Sequence, residues 1–409
     1  MGRGGSKSGV WLAVSLLFLL FCAPHLDAAE FRYGIDQLDS GRCKELEGKR
    51  VGLITNAASV SSGGEPAYRV LLTRGIDLKF LMAPEHGFSL EHQAGQKVGN
   101  SSIEGTLKVY SLYGASRKPD AALLKKIDVL VFDLQDAGTR CYTYISTMKL
   151  AMEACRDAGI TFMVLDRPNP IAPIPAGGFM LEPSYKSFVG AGELPFVHGM
   201  TVGEIAVWLQ KRLYPGLSLK VVEMKGYSHE KFADELTGFQ FRSPSPNIRD
   251  FETLILYPAT VMLEATAVSE GRGTDGPFRI FGAPCIDSRS LKREIDQYHL
   301  PGVDLYEASF TPRSGKFAGR ECHGVRLSLT DRRMFDPFKT STAILLSLQK
   351  LYPDELALDR NKSFFDQLSG TATYRIMILK QCPIGEILDA ARGPVRAFEA
   401  ASSDRFLYP

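Results

Sequence analysis

Four short, mainly apolar runs punctuate the first 170 positions: Val51-Gly52-Leu53-Ile54, Leu78 to Met82, Val129 to Phe132, and Phe162 to Leu165. Continuous apolar runs suit strands buried on both faces of a parallel sheet, whereas strict alternation would suit a half-exposed one. Between the third and fourth runs, Ile145, Met148, Met152 and Cys155 recur at helical spacing, and Gly159 stands where a left-handed cap would end the helix. This strand–helix–strand order predicts an α/β fold, with a Rossmann-like parallel-sheet domain over residues 30–255. Beyond it the texture changes. A helix is expected over Thr201 to Leu213, a strand over Leu217 to Glu223, and an irregular proline-rich stretch over Ser243 to Asn247. After Asp287 come a polar helix, β-like segments at Val303 to Phe310 and Gly324 to Thr330, and an amphipathic helix from Thr340 to Leu351. These predict a smaller α+β domain over residues 256–409, with an active-site cleft between the two.

The polar residues just after each run carry the chemistry. Thr55-Asn56 stands after the first, Ala83-Pro84-Glu85-His86-Gly87 after the second, Asp133-Leu134-Gln135-Asp136 after the third, and Asp166-Arg167-Pro168-Asn169-Pro170 after the fourth. Open parallel sheets bind ligands outside the carboxyl ends of their strands, so four polar clusters there are expected to meet in one crevice. Any one of these Asp residues alone would read as a helix cap or turn residue.

Composition narrows the classes. The 409 residues carry 48 Lys plus Arg against 46 Asp plus Glu, a net charge of +2, which argues against a nucleic-acid binder relying on phosphate attraction. The N-terminus reads as a signal peptide over residues 1–28: Arg3 and Lys7 open it, Val10 to Ala23 is apolar except for Ser15, and Leu26-Asp27-Ala28-Ala29 offers a cleavage site after Ala28. That run is shorter than the ~20 residues of a spanning helix, so no stable membrane span is expected after cleavage. Phe21, bulky before Cys22, disfavours a lipoprotein. Removing Arg3, Lys7 and Asp27 leaves a net charge of +1. The six remaining cysteines are widely spaced, and free, mostly packed thiols are expected ahead of a disulfide framework.

Several motifs lead nowhere. Gly271-Arg272-Gly273-Thr274-Asp275-Gly276 matches GxGxxG, but Pro277 and a strand-like Phe278 to Phe281 come next in place of a helix, so a glycine-rich active-site loop is expected and not a dinucleotide site. There is no GxxxxGK[ST] loop and no GxSxG elbow. His86 and His92 lack HExxH spacing, so neither a metal nor another cofactor is expected. The carboxylates are the promising set: Glu85, Glu264, Glu270, Asp133 and Asp136. Glycoside hydrolysis needs one carboxyl to protonate the leaving oxygen and a second to activate water, attack, or stabilise charge.

At these residues the chain resembles the exo-β-N-acetylmuramidase family typified by NamZ. The matching stretches are GIDQL (34–38), KRVGLITNAASV (49–60), APEHGF (83–88), VLVFDLQDAGTRCYTYISTM (129–148), VLDRPNP (164–170), GMTVGEIA (199–206), SPNI (245–248), LYPAT (256–260), SEGRGTDGPF (269–278) and FGAPCID (281–287). The chain departs from the pattern at Ser89, Cys141, Ala265, Ala267 and Cys285 and keeps Glu85, Glu264 and Glu270. The resemblance implies a bacterial periplasmic or secreted enzyme that releases N-acetylmuramic acid from the non-reducing ends of peptidoglycan fragments, with no nucleic-acid partner. On that basis Glu85 and Glu270 are expected to form the catalytic pair, with His86 tuning Glu85 and Glu264 in reserve. Arg140, Arg167 and Arg272 are candidates for the lactyl carboxylate. Asn56, Asp133, Asp166, Asn169 and Asn247 are candidates for the sugar hydroxyls and acetamido group, with Tyr142 beside them. Two other classes fit the same cleft: a muropeptide-binding protein without turnover, and an esterase or amidase acting on cell-wall fragments.

Overall fold

The computed structural model describes residues 1, 2, 5, 30–40 and 42–409; the expected signal segment otherwise lies outside them. Seven strands form one sheet: β1 (Arg50–Ile54), β2 (Asp77–Ala83), β3 (Ser101–Ile103), β4 (Leu107–Ser111), β5 (Val129–Phe132), β6 (Thr161–Leu165) and β7 (Leu219–Val222). Their order is β3-β4-β2-β1-β5-β6-β7, parallel except for β3 against β4. All four apolar runs fall in these strands, and their continuity has a direct cause. Ile54, Met82, Leu130, Phe132, Phe162 and Val164 enter one core, while Val51, Leu53, Leu81, Val129, Val131, Met163 and Leu165 enter a second on the opposite face. Helix α1 (Ala67–Thr73) covers the second core, and α3 (Tyr144–Ala158) and α4 (Val202–Leu213) cover the first; α2 (Ala121–Leu124) is a single turn between β4 and β5.

Helix boundaries reflect cap chemistry. Gly159 ends α3 with φ 66°, and Thr201 with Glu204 forms a capping box at the start of α4. Strands β3 and β4, which no apolar run announces, are short and largely half-exposed.

The C-terminal lobe begins with α5 (Phe251–Thr260), a 3-10 turn over Val261–Ala265, and an antiparallel sheet of β8 (Ile280–Ala283), β9 (Val303–Phe310) and β10 (Cys322–Leu329), ordered β8-β10-β9. Helices α6 (Ser288–Asp296), α7 (Pro337–Leu351), α8 (Pro353–Leu356), α9 (Lys362–Ser369), α10 (Ala372–Leu379) and α11 (Ile384–Ser402) surround it. Helix α7 starts ahead of the expected Thr340, because Asp336 caps it and Pro337 takes its first position. The first core runs on from Phe132 and Ile145 into Phe278, Phe281 and Leu345, so the two lobes share it. The glycine-rich loop opens no helix. A Cβ on Gly271 would stand 2.4 Å from the Ile280 carbonyl oxygen, and one on Gly273 would stand 2.4 Å from that of Ser314, so both glycines serve close backbone approach. Cys141, Cys155, Cys285, Cys322 and Cys382 are free thiols.

Candidate active site

A cavity of about 490 Å³ opens between the lobes. Its sheet-side wall is built by the turn after β2 (Glu85, His86), the loop after β4 (Tyr113, Arg117) and the start of α3 (Cys141, Tyr142, Thr143). Phe188 and Val189 add to it, and Tyr257, Glu264, Arg272, Phe278, Phe364 and Gln367 close the other side.

Glu85 is buried, and its carboxylate accepts two hydrogen bonds, from the Gly95 N–H at 2.7 Å and the Thr143 hydroxyl at 2.7 Å. No Lys or Arg forms an ion pair with it among the described residues. The Tyr113 phenol lies against it, and burial, then this negative charge, raises the phenol's pKa. His86 adopts φ 72° and donates from Nδ1 to the His92 carbonyl at 2.8 Å, which leaves Nε2 as the acceptor of a neutral ring.

Burial holds His86 below the ordinary histidine range, against the opposing pull of Glu85. A depressed histidine contributes stability that is full above the unfolded value of ~6.5 and is lost as pH falls below it. His86→Asn, which tolerates positive φ, is therefore expected to flatten the fall in melting temperature between pH 7 and 5. An unchanged slope in scanning calorimetry would contradict this.

Across the cavity, Glu264 contacts Arg272 in a close ion pair. Arg272 Nε also lies 3.3 Å from Glu270, whose other oxygen accepts from Lys316 Nζ at 3.0 Å. Lys316 further donates to the carbonyls of Leu263, Glu264 and Val268, pinning the 3-10 turn to the glycine-rich loop. Burial raises the Glu264 carboxyl while Arg272 opposes it. The four side chains form a charge-balanced chain in which Glu264 and Arg272 line the cavity and Glu270 lies behind them.

The other candidates from the sequence divide between the cavity rim and the space beneath it. Tyr142 lines the cavity and donates to the Pro244 carbonyl at 3.0 Å. Asn247, on the adjoining loop, donates to Gln93 at 3.3 Å. Asn56 is buried under the sheet ends, donating to the Tyr144 hydroxyl at 3.0 Å and accepting from Ala58 N–H at 3.1 Å. Asp133 and Arg167 form a buried ion pair, and Arg167 also donates to the Val60 carbonyl. Arg140 is fully buried, donates to the carbonyls of Phe179, Leu194 and Leu368, and is held down at about 10 by burial. Asp166 accepts from Arg167 N–H, Gly203 N–H, Thr201 and Tyr408, and burial pushes its carboxyl up to about 7. Asn169 accepts from Ile171 N–H.

Only one strand-end cluster, that after β2, therefore reaches the cavity, whereas Asn56, Asp133, Asp166, Arg167 and Asn169 fill the space outside β1, β5 and β6 with mutual contacts. Tyr113, Arg117, Thr143, Phe188 and Tyr257 line the cavity without having stood out in the sequence. The missed strand β4 explains the first two, since they come after its carboxyl end. Cys141 is also on the wall, with its thiol pushed up to about 12 by burial. Among the described residues no group of three or more His, Cys, Asp or Glu could hold a metal, and no helix is long and apolar enough to cross a membrane.

Comparison with known proteins gives consistent matches. The family models described as exo-β-N-acetylmuramidase NamZ, N-terminal and C-terminal, match residues 51–252 and 255–408. The chain is 42% identical over 377 residues to the peptidoglycan β-N-acetylmuramidase NamZ of Bacillus subtilis strain 168, covering 92% of this chain and 91% of that protein. A DUF1343 family protein from Bacteroides fragilis NCTC 9343, known from a crystal structure, superposes with a TM-score of 0.86 at 33% identity, covering 93% of this chain and 99% of its own. A second from the same strain gives 0.75 at 29% identity with the same coverage.

Proposed function

Because the chain belongs to the exo-β-N-acetylmuramidase NamZ family, we propose that it is a glycoside hydrolase that releases terminal N-acetylmuramic acid from peptidoglycan fragments. The observation that carries this reading is one cavity with a carboxylate from each lobe, Glu85 and Glu264, facing it.

The two differ in what touches them, and this suggests separate roles. Glu85 meets a backbone N–H and a hydroxyl but no cation among the described residues. Thr143 can donate to the carboxylate or accept from the acid by rotating its O–H. In the proposed reaction the Glu85 acid gives its proton to the glycosidic oxygen as the C1–O bond breaks, and water adds its oxygen to C1. The proton lost by that water returns Glu85 to its acid form. Glu264 is paired with Arg272 and acts as a fixed negative charge beside the positive charge that develops at C1.

Identifying released N-acetylmuramic acid by mass spectrometry, after incubation with a MurNAc-GlcNAc disaccharide, tests the reading. Intact disaccharide, or freed acyl or peptide groups with the glycosidic bond intact, would overturn it. Glu264→Gln is expected to lower kcat by roughly 10²-fold, and Glu270→Gln by less, since Glu270 acts through Arg272; the reverse order in initial-rate measurements would exchange the two. Action in the periplasm or outside the cell is part of the same proposal and rests on the segment over residues 1–28.

A further inference from the structure

Three arginines stand out in the sequence as partners for a lactyl carboxylate, and in the fold each is already engaged. Arg140 donates to three carbonyls without exposure to solvent. Arg167 is closed against Asp133 and the Val60 carbonyl. Arg272 is bracketed by Glu264 and Glu270.

Arg117 differs on each count. It lines the cavity and is exposed, and among the described residues no carboxylate is ion-paired with it. Its guanidinium carbon lies 4.2 Å from the ring centre of Phe188 and 4.9 Å from that of Tyr113, two rings whose centres are 5.6 Å apart. Aromatic contact of this kind holds a guanidinium in place and leaves N–H groups for a second partner.

Both parts of this aromatic seat are fixed to α3. The Phe188 carbonyl accepts from the Ser146 hydroxyl at 2.6 Å. Ser116 holds the Arg117 turn by donating to the Lys118 carbonyl at 2.8 Å and accepting its N–H at 3.1 Å, and Lys118 Nζ reaches Glu153 and Asp157. The Tyr113 phenol lies against both the Glu85 carboxylate and the Arg117 guanidinium, so one side chain separates the proton carrier from the free cation.

The charge balance agrees. The chain of Glu264, Arg272, Glu270 and Lys316 balances itself, which leaves Arg117 as the cavity cation with no carboxylate paired to it among the described residues. An unpaired cation is matched to the single carboxylate of a monoanionic sugar.

We infer that Arg117, packed against Tyr113 and Phe188, binds the lactyl carboxylate of a muramic acid whose anomeric carbon lies at Glu85, and is the contact that selects muramic acid over N-acetylglucosamine. The inference rests on the muramidase reading above. It is tested with Arg117→Gln and Arg117→Lys on three 4-nitrophenyl glycosides: the N-acetylmuramide, its neutral lactyl methylamide, and the N-acetylglucosaminide.

The wild-type chain is expected to favour the free acid over the methylamide by about 10- to 100-fold in kcat/KM, the range for a charge-assisted hydrogen-bonded contact. In Arg117→Gln that ratio is expected to collapse towards one, with the loss in KM for the acid and not in kcat, and Arg117→Lys to fall between. A ratio that survives in Arg117→Gln overturns the inference while the muramidase reading stands. If the wild type hydrolyses none of the three, that reading fails. Calorimetric binding of N-acetylmuramic acid and its methylamide then decides the inference: preference for the acid, lost in Arg117→Gln, supports it, and equal affinities overturn it.

Discussion

Glu85→Gln is expected to lower kcat on a MurNAc-GlcNAc disaccharide by about 10²–10⁴-fold, the usual share of a general acid, while the chain stays folded. The amide keeps the size of the carboxyl and can still accept from Gly95 N–H, so the two contacts that seat Glu85 need not be lost. What disappears is the acidic proton that the carboxyl can transfer. If Glu85 protonates the leaving oxygen, a leaving group that departs readily as an anion needs less help. The defect should therefore shrink by at least tenfold on the 4-nitrophenyl muramide. An equal loss on both substrates would make Glu85 the group that attacks C1 or activates water, and retained turnover on both would remove it from the chemistry.

Glu85 was readable because its setting is unusual for a surface carboxylate: an acid between Pro84 and His86-Gly87 directly after a buried apolar strand. The same reasoning does not separate Glu264 from Glu270, which both precede one glycine-rich loop. Which of them faces the cavity depends on how Lys316, far along the chain, collars the carbonyls of Leu263, Glu264 and Val268. Arg117 was hidden for a different reason. Strand β4 has one buried residue in five, so no apolar run marks it, and the loop at its carboxyl end does not read as a strand-end loop.

The fold itself was legible wherever one residue type answers to one physical demand. Gly159 ends α3 in the left-handed region, Thr201 caps α4, and Asp287 caps α6 by accepting from Ser290 N–H. Polar residues at strand ends do not have this property. Oxygen and nitrogen groups that would bind a sugar there serve equally well to satisfy buried backbone and charge, and Asn56, Asp166 and Arg140 do that here. Periodicity cannot tell the two uses apart, since both put polar groups at the ends of buried strands.

Asp133 and Arg167 are where these two uses make opposite predictions. Both side chains are almost completely buried, and the guanidinium is held by Asp133, the Val60 carbonyl and the Tyr33 ring, 4.8 Å from its centre. Removing one partner of such a pair leaves the other charge buried without compensation, at a cost of about 3–5 kcal/mol. Asp133→Asn is therefore expected to lower stability by that amount in urea unfolding. The cost comes from the stranded Arg167 and not from lost attraction alone, so Asp133→Leu combined with Arg167→Met should recover most of it, because apolar groups of similar volume remove both charges together. Sugar recognition predicts something else: Asp133→Asn would raise KM for the muramide with little loss of stability, and the apolar double variant would be worse than either single one. The distances favour the first outcome, since the Asp133 carboxylate is already satisfied by Arg167 and presents no edge to the cavity.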